Sequence, residues 1–187
     1  MTFTNNYFIK RSPQPSSTTT PSVLGSTTDE KFDIFLSYKW ENVDQVKILQ
    51  EKLTKECGYK VWRDETNLKK SEALESQLAK NIQNSKVFLF CLTRAYFESK
   101  NCKSELRYAI NVCKKPIVFL MLERLELINL DDVGFLLNSY IYAQCYKSKP
   151  LDAWPTNYFD EIRKNIENVM PVINMKIFFF IFDFNFL

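Results

Sequence analysis

The sequence predicts an α/β fold: a parallel sheet covered by helices on both faces. Two observations carry this. Short, fully apolar runs recur along the chain, without the polar alternation of a half-exposed sheet. Between them lie stretches whose apolar residues repeat at helical spacing. Alternation of this kind builds right-handed crossovers that bury the sheet from both sides. The repeats occupy residues 31–170 of the 187.

Phe32-Asp33-Ile34-Phe35-Leu36-Ser37-Tyr38 is the first apolar run, read as a buried strand. A helix over about 42–56 follows, because Val46, Leu49 and Leu53 fall on one face. Gly58 is placed to end it as a left-handed cap. Residues 59–63 alternate and predict a second strand. A polar, charged loop runs from Asp64 to Lys70, and Ser71 is a capping candidate for a helix marked by Leu74, Leu78 and Ile82. Residues 87–92 are a third strand without a polar residue. A helix over about 101–114 presents Leu106, Ala109, Ile110 and Cys113. Residues 116–122 are the fourth strand, with Pro116 at its first position, where a missing N–H does least harm. After an irregular stretch, 140–143 form a short fifth strand. Phe159, Ile162 and Ile166 mark a last helix over 156–169.

The two ends read differently. Residues 1–30 include an uncharged Ser/Thr/Pro-rich stretch, too poor in apolar surface to offset the entropy of ordering, and are expected to be a disordered tail. Residues 171–187 are phenylalanine-rich. The thirteen residues from Met175 to Leu187 fall short of the about 20 a membrane-spanning helix needs, so this end is expected to be disordered or an artefact of the gene model. Firm membrane association is not expected.

Composition excludes much chemistry. There is no histidine, which removes Ser-His, Cys-His and His-metal sites together. Three glycines, far apart, leave no dinucleotide fingerprint and no phosphate-binding P-loop. A net charge of +3 gives no electrostatic case for nucleic acid. Five cysteines, none in a Cys-x-x-Cys pair, offer no zinc set, and no metal is expected. The odd count and polar N-terminus fit a reducing, cytoplasmic compartment.

Ligands of parallel α/β sheets bind outside the carboxyl ends of the strands. Those ends deliver Ser37-Tyr38-Lys39-Trp40, Arg63-Asp64 and Thr93-Arg94. Hydroxyls, an acid, cations and aromatics on one rim suit an anionic ligand that carries an aromatic ring. Simpler roles stand beside this one. Trp40 can cover the first helix, Asp64 can be a turn residue, and Lys39 can face only water. A phosphoacceptor of response-regulator type does not fit, since the first and third strands end in Ser37-Tyr38 and Leu92-Thr93 rather than in acids.

Five stretches in order resemble the Toll/interleukin-1 receptor (TIR) domain family. They are residues 32–38, residues 59–64, residues 82–93, Tyr96 with Asn101-Cys102-Lys103-Ser104-Glu105-Leu106, and residues 116–119. The resemblance implies a flavodoxin-like, five-stranded parallel sheet, self-association with other TIR domains, and a role in innate immune or cell-death signal transduction. Some members cleave NAD+ to nicotinamide and ADP-ribose or a cyclic isomer, using the glutamate of the Cys-x-x-Glu pattern. That residue is Glu105 here, with Tyr38, Lys39, Trp40 and Asp64 as substrate-binding candidates and NAD+ as substrate rather than a resident cofactor. Other members only assemble, and a non-catalytic adaptor is the alternative. From the residues alone, Glu105 lies on the flank of a buried helical stripe, in the helix's expected first turn. A carboxylate there can stabilise an oxocarbenium ion or simply complement the helix dipole.

Overall fold

A computed structural model describes residues 32–64, 72–126, 134–135 and 137–170. The expected tails 1–30 and 171–187, most of the charged loop and the Ser71 cap lie outside the described residues. Five strands form one sheet: β1 (Phe32–Ser37), β2 (Val61–Arg63), β3 (Ser85–Leu92), β4 (Ile117–Met121) and β5 (Ile141–Ala143). Their order is β2-β1-β3-β4-β5 and every pairing is parallel. This is the flavodoxin-like order, which reverses direction between β1 and β3.

The helices are α1 (Val43–Cys57), α2 (Glu72–Gln83), α3 (Arg94–Glu98), α4 (Lys100–Arg107), α5 (Trp154–Asn157) and α6 (Phe159–Val169). Strand side chains alternate between two cores. On one face, Ile34, Leu36, Val87, Leu89, Val118 and Leu120 pack with Val46, Leu49 and Leu53 of α1 and Phe159, Ile162 and Ile166 of α6. The opposite face is aromatic. Phe35, Phe88, Phe90 and Phe119 pack with Ile82 of α2, Tyr96 of α3 and Leu106 of α4. Rings stack across this face from Trp62 through Phe35 to Phe88, and from Tyr96 through Phe90 and Phe119 to Tyr142. With both faces covered, β3 buries seven of its eight residues, which is why its sequence does not alternate.

Three differences from the sequence expectation bear on the site. A short helix, α3, intervenes after β3; Thr93 caps it, its Oγ1 accepting from the Tyr96 N–H at 3.0 Å. Five residues are too few to show a helical period. The next helix starts at Lys100 with Ser99 as its cap, and passes into a π-helical turn at Tyr108–Val112. Glu105 is therefore the sixth helical residue, beyond the first turn, and the expected dipole benefit does not reach it.

The amino-terminal edge of the sheet is held by Asp33. Its carboxylate accepts from the Lys60 N–H at 2.8 Å and from Lys86 Nζ at 2.7 Å, tying β1 to both neighbours. Gly58 ends α1 at φ +70°, as expected, its N–H bonding the Thr54 carbonyl at 3.1 Å. A Cβ built there meets nothing within 4 Å, so the only cost of a side chain is backbone strain. Gly58→Ala should lower stability by about 1 kcal/mol, read from the denaturant midpoint, and Gly58→Asn by less.

Candidate functional site

At the carboxyl edge of the sheet, beside the reversal between β1 and β3, lies a cavity of about 150 Å³. Four segments build it: Ser37 at the end of β1 with Tyr38 to Trp40 after it, Trp62 and Asp64 at the end of β2, Leu78 of α2, and Asn101, Cys102 and Glu105 of α4. The fold thus brings all five sequence-predicted site residues to one cavity: Glu105, Tyr38, Lys39, Trp40 and Asp64. Trp40, 41% exposed, opens a 3-10 turn at the mouth.

Their roles differ. The Tyr38 ring is partly buried, and its hydroxyl donates to the Asp64 carbonyl at 2.6 Å while accepting from Arg63 at 3.1 Å. Tyr38 thereby clamps the end of β1 to the end of β2. Arg63 is held in turn by Gln50 of α1 at 2.6 Å. Asp64 contributes its backbone to that clamp and its charge to the cavity.

Glu105 reaches the cavity from the flank of α4. Its Oε2 accepts from the Ser37 hydroxyl at 2.7 Å. Ser37 in turn lies 3.0 Å from the fully buried Tyr96 hydroxyl. Glu105 lines the cavity, but its carboxyl is surrounded by protein. Burial pushes it up from an ordinary value near 4.5 to about 7; the Ser37 hydrogen bond opposes the rise and the Asp64 charge adds to it. Near neutral pH both protonation states are populated, a property common in groups that do chemistry.

A second cavity, of about 250 Å³, lies between α2 and α4. It adds Glu75, Ala79, Ile82, Ser104 and Tyr108, and shares Leu78, Asn101 and Glu105 with the first. Sites for drug-sized ligands measure roughly 300–1,000 Å³, so the first cavity alone holds only part of such a molecule.

Ser37 and Tyr96 were not among the sequence-predicted site residues. A signal existed for Ser37: it stands on the strand-end rim inside the first apolar run, and a buried hydroxyl must find a partner. All five cysteines are free thiols. Cys102 borders the cavity, but burial pushes its thiol up to about 11, so it is not a nucleophile at neutral pH. No cluster that could hold a metal occurs among the described residues. Among them, too, no helix is long and apolar enough to cross a membrane.

The fold is that of a doubly wound α/β domain, with a strand-end cavity at its switch point. The family model described as TIR domain matches residues 34–166, and the chain belongs to that family. The TIR domain of the Toll-related receptor TRR-2 from Hydra magnipapillata superposes with a TM-score of 0.50 at 17% identity, covering 71% of this chain and 98% of that one. The TIR domains of the activated Roq1 resistosome, which directly recognises the pathogen effector XopQ, give a TM-score of 0.43 at 20% identity, covering 74% and 96%. At 17% identity the likeness to the receptor domain is one of fold. No curated protein is significantly similar to the chain.

Proposed function

We propose that this chain is a self-associating TIR signalling protein that hydrolyses NAD+, with Glu105 as the catalytic carboxylate. The observation that supports this is the placement of Glu105. Its side chain lines a strand-end cavity bordered by Lys39, Trp40 and Asp64, and among the described residues no salt bridge engages it. Breaking the nicotinamide–ribose bond builds positive charge on the ribose. A carboxylate beside the sugar stabilises that charge, most strongly where water is partly excluded. Nicotinamide leaves neutral from a cationic ring, so no acid is needed for its departure. Trp40 offers a stacking face for an aromatic ring, and Lys39 a cation for phosphate. Water, or for a cyclic product the adenine base, bonds to the ribose carbon as nicotinamide departs, and one proton passes to solvent; ADP-ribose, linear or cyclised, is the second product.

The first cavity is smaller than a dinucleotide, which agrees with a site that self-association completes. The alternative is an adaptor that only binds other TIR domains. Incubation of the purified chain with NAD+, followed by chromatography, decides between them. Release of nicotinamide supports the enzyme; none, under conditions where light scattering shows assembly, establishes the adaptor.

The charged stretch 64–71, between β2 and α2, is the proposed contact for assembly. Replacing both Lys69 and Lys70 with Glu should weaken self-association in light scattering, most of all at low salt, where surface charges are least screened. Unchanged association would place the contact elsewhere.

A further inference from the structure

We propose that Ser37 and Tyr96 are positioning residues for Glu105. Together they form a buried chain of hydroxyls that holds the carboxylate in one orientation and reverses direction when the carboxyl takes up a proton. Only the bearing of this chain on catalysis rests on the reading of Glu105 given above.

The donor count dictates the direction. A carboxylate only accepts, and each hydroxyl has one proton to give. With Glu105 ionised, Ser37 must donate to Oε2 at 2.7 Å. Tyr96 must then donate to the Ser37 oxygen at 3.0 Å. The Cys102 carbonyl, 3.4 Å from the Tyr96 oxygen, keeps its helical partner but receives no proton from Tyr96 in this state. With Glu105 protonated on Oε2, the carboxyl donates to Ser37, Ser37 to Tyr96, and Tyr96 to the Cys102 carbonyl. Both arrangements leave every hydroxyl partnered, and no heavy atom has to move.

The chain is rigidly mounted. Ser37 is 2% exposed at the end of β1, and Tyr96 is 1% exposed. The Tyr96 ring stacks on Phe90 at 5.1 Å, and its N–H is fixed by Thr93. Three segments meet here: the end of β1, α3 and α4. Among the described residues, the other titratable and charged groups lining the cavities with Glu105 are Tyr38 and Lys39 after β1, Asp64 after β2, Cys102 on α4, and Glu75 of α2 and Tyr108 beyond α4 across the second cavity. Removing a hydroxyl from the chain leaves these in place, so its own effect on Glu105 can be read separately.

The test is titration by NMR of the full chain, carrying 13C-labelled glutamate carboxyls, with Glu105 assigned by Glu105→Gln. Ser37→Ala removes the hydrogen bond to the charged form and should raise the Glu105 midpoint by about one pH unit. Tyr96→Phe, which keeps the ring stack, should raise it by less. A second label, 13Cζ tyrosine in the wild-type chain, reads the reversal without perturbing the site. The Tyr96 resonance, assigned by its loss in Tyr96→Phe, should shift with the same midpoint as Glu105. A Glu105 midpoint unmoved or lowered in a folded Ser37→Ala chain overturns the proposal. So does a Tyr96 resonance that stays flat through the Glu105 titration. Neither reading needs turnover, so absence of nicotinamide release would count against the proposed reaction and not against the chain. Where the wild type does release nicotinamide, the acid limb of its pH profile should move upward in Ser37→Ala along with the midpoint.

Discussion

Glu105→Gln should lower nicotinamide release by at least ~10²-fold, the scale of losing one preorganised electrostatic group. The amide keeps the size of the side chain and an oxygen that can accept from Ser37. It lacks the charge that, in the proposed reaction, faces the developing oxocarbenium ion. The same argument sets the pH dependence of the wild type. Its carboxyl titrates at about 7, so release should climb as pH rises from 6 to 8, following ionisation of the group. Assembly should persist in the variant, which separates chemistry from scaffolding. A Glu105→Gln chain that still turned over at the wild-type rate would remove Glu105 as the catalyst.

The same substitution should stabilise the fold at alkaline pH, and this is the second large effect. Burial raises the folded carboxyl to about 7 from an ordinary value near 4.5. Between those values the folded chain holds a proton that the unfolded chain has lost, so stability is fully present below about 4.5 and falls as pH rises through 7. The loss is roughly 1–3 kcal/mol, the lower part of the range allowing for access of water through the cavity. Glutamine has no proton to lose. Urea unfolding at pH 5 and pH 8 should therefore show the variant gaining on the wild type as pH rises. A difference between the two chains that does not change with pH would contradict a buried, proton-holding Glu105.

Sequence patterns made most of the framework legible because they are local. A strand covered on both faces must be apolar at every position, as residues 87–92 are, and such a run can be read without knowing its neighbours. The buried stripes of α1 and α6 were legible for the same reason: Val46, Leu49 and Leu53, and Phe159, Ile162 and Ile166, repeat at the period of the helix itself. Gly58 declared its left-handed cap because few other residues tolerate that backbone. The family resemblance, carried by short boxes in order, pointed to Glu105 and the residues after β1.

What the sequence by itself determined, then, was the fold class and the strand ends that form one rim, while the family resemblance singled out the five candidate residues. The tertiary structure decided how those residues meet. Ser37 joins Tyr96 across 59 positions and Glu105 across 68, distances over which no periodicity carries information. The start of α4 at Lys100, set by the Ser99 cap, moved Glu105 away from the helix end and its favourable dipole. Close packing around that position then raised the energy of its charge. Desolvation depends on everything that surrounds a group, and here the surroundings come from four separate segments of chain, so the chemistry of Glu105 exists only once the sheet has been assembled in its 2-1-3-4-5 order.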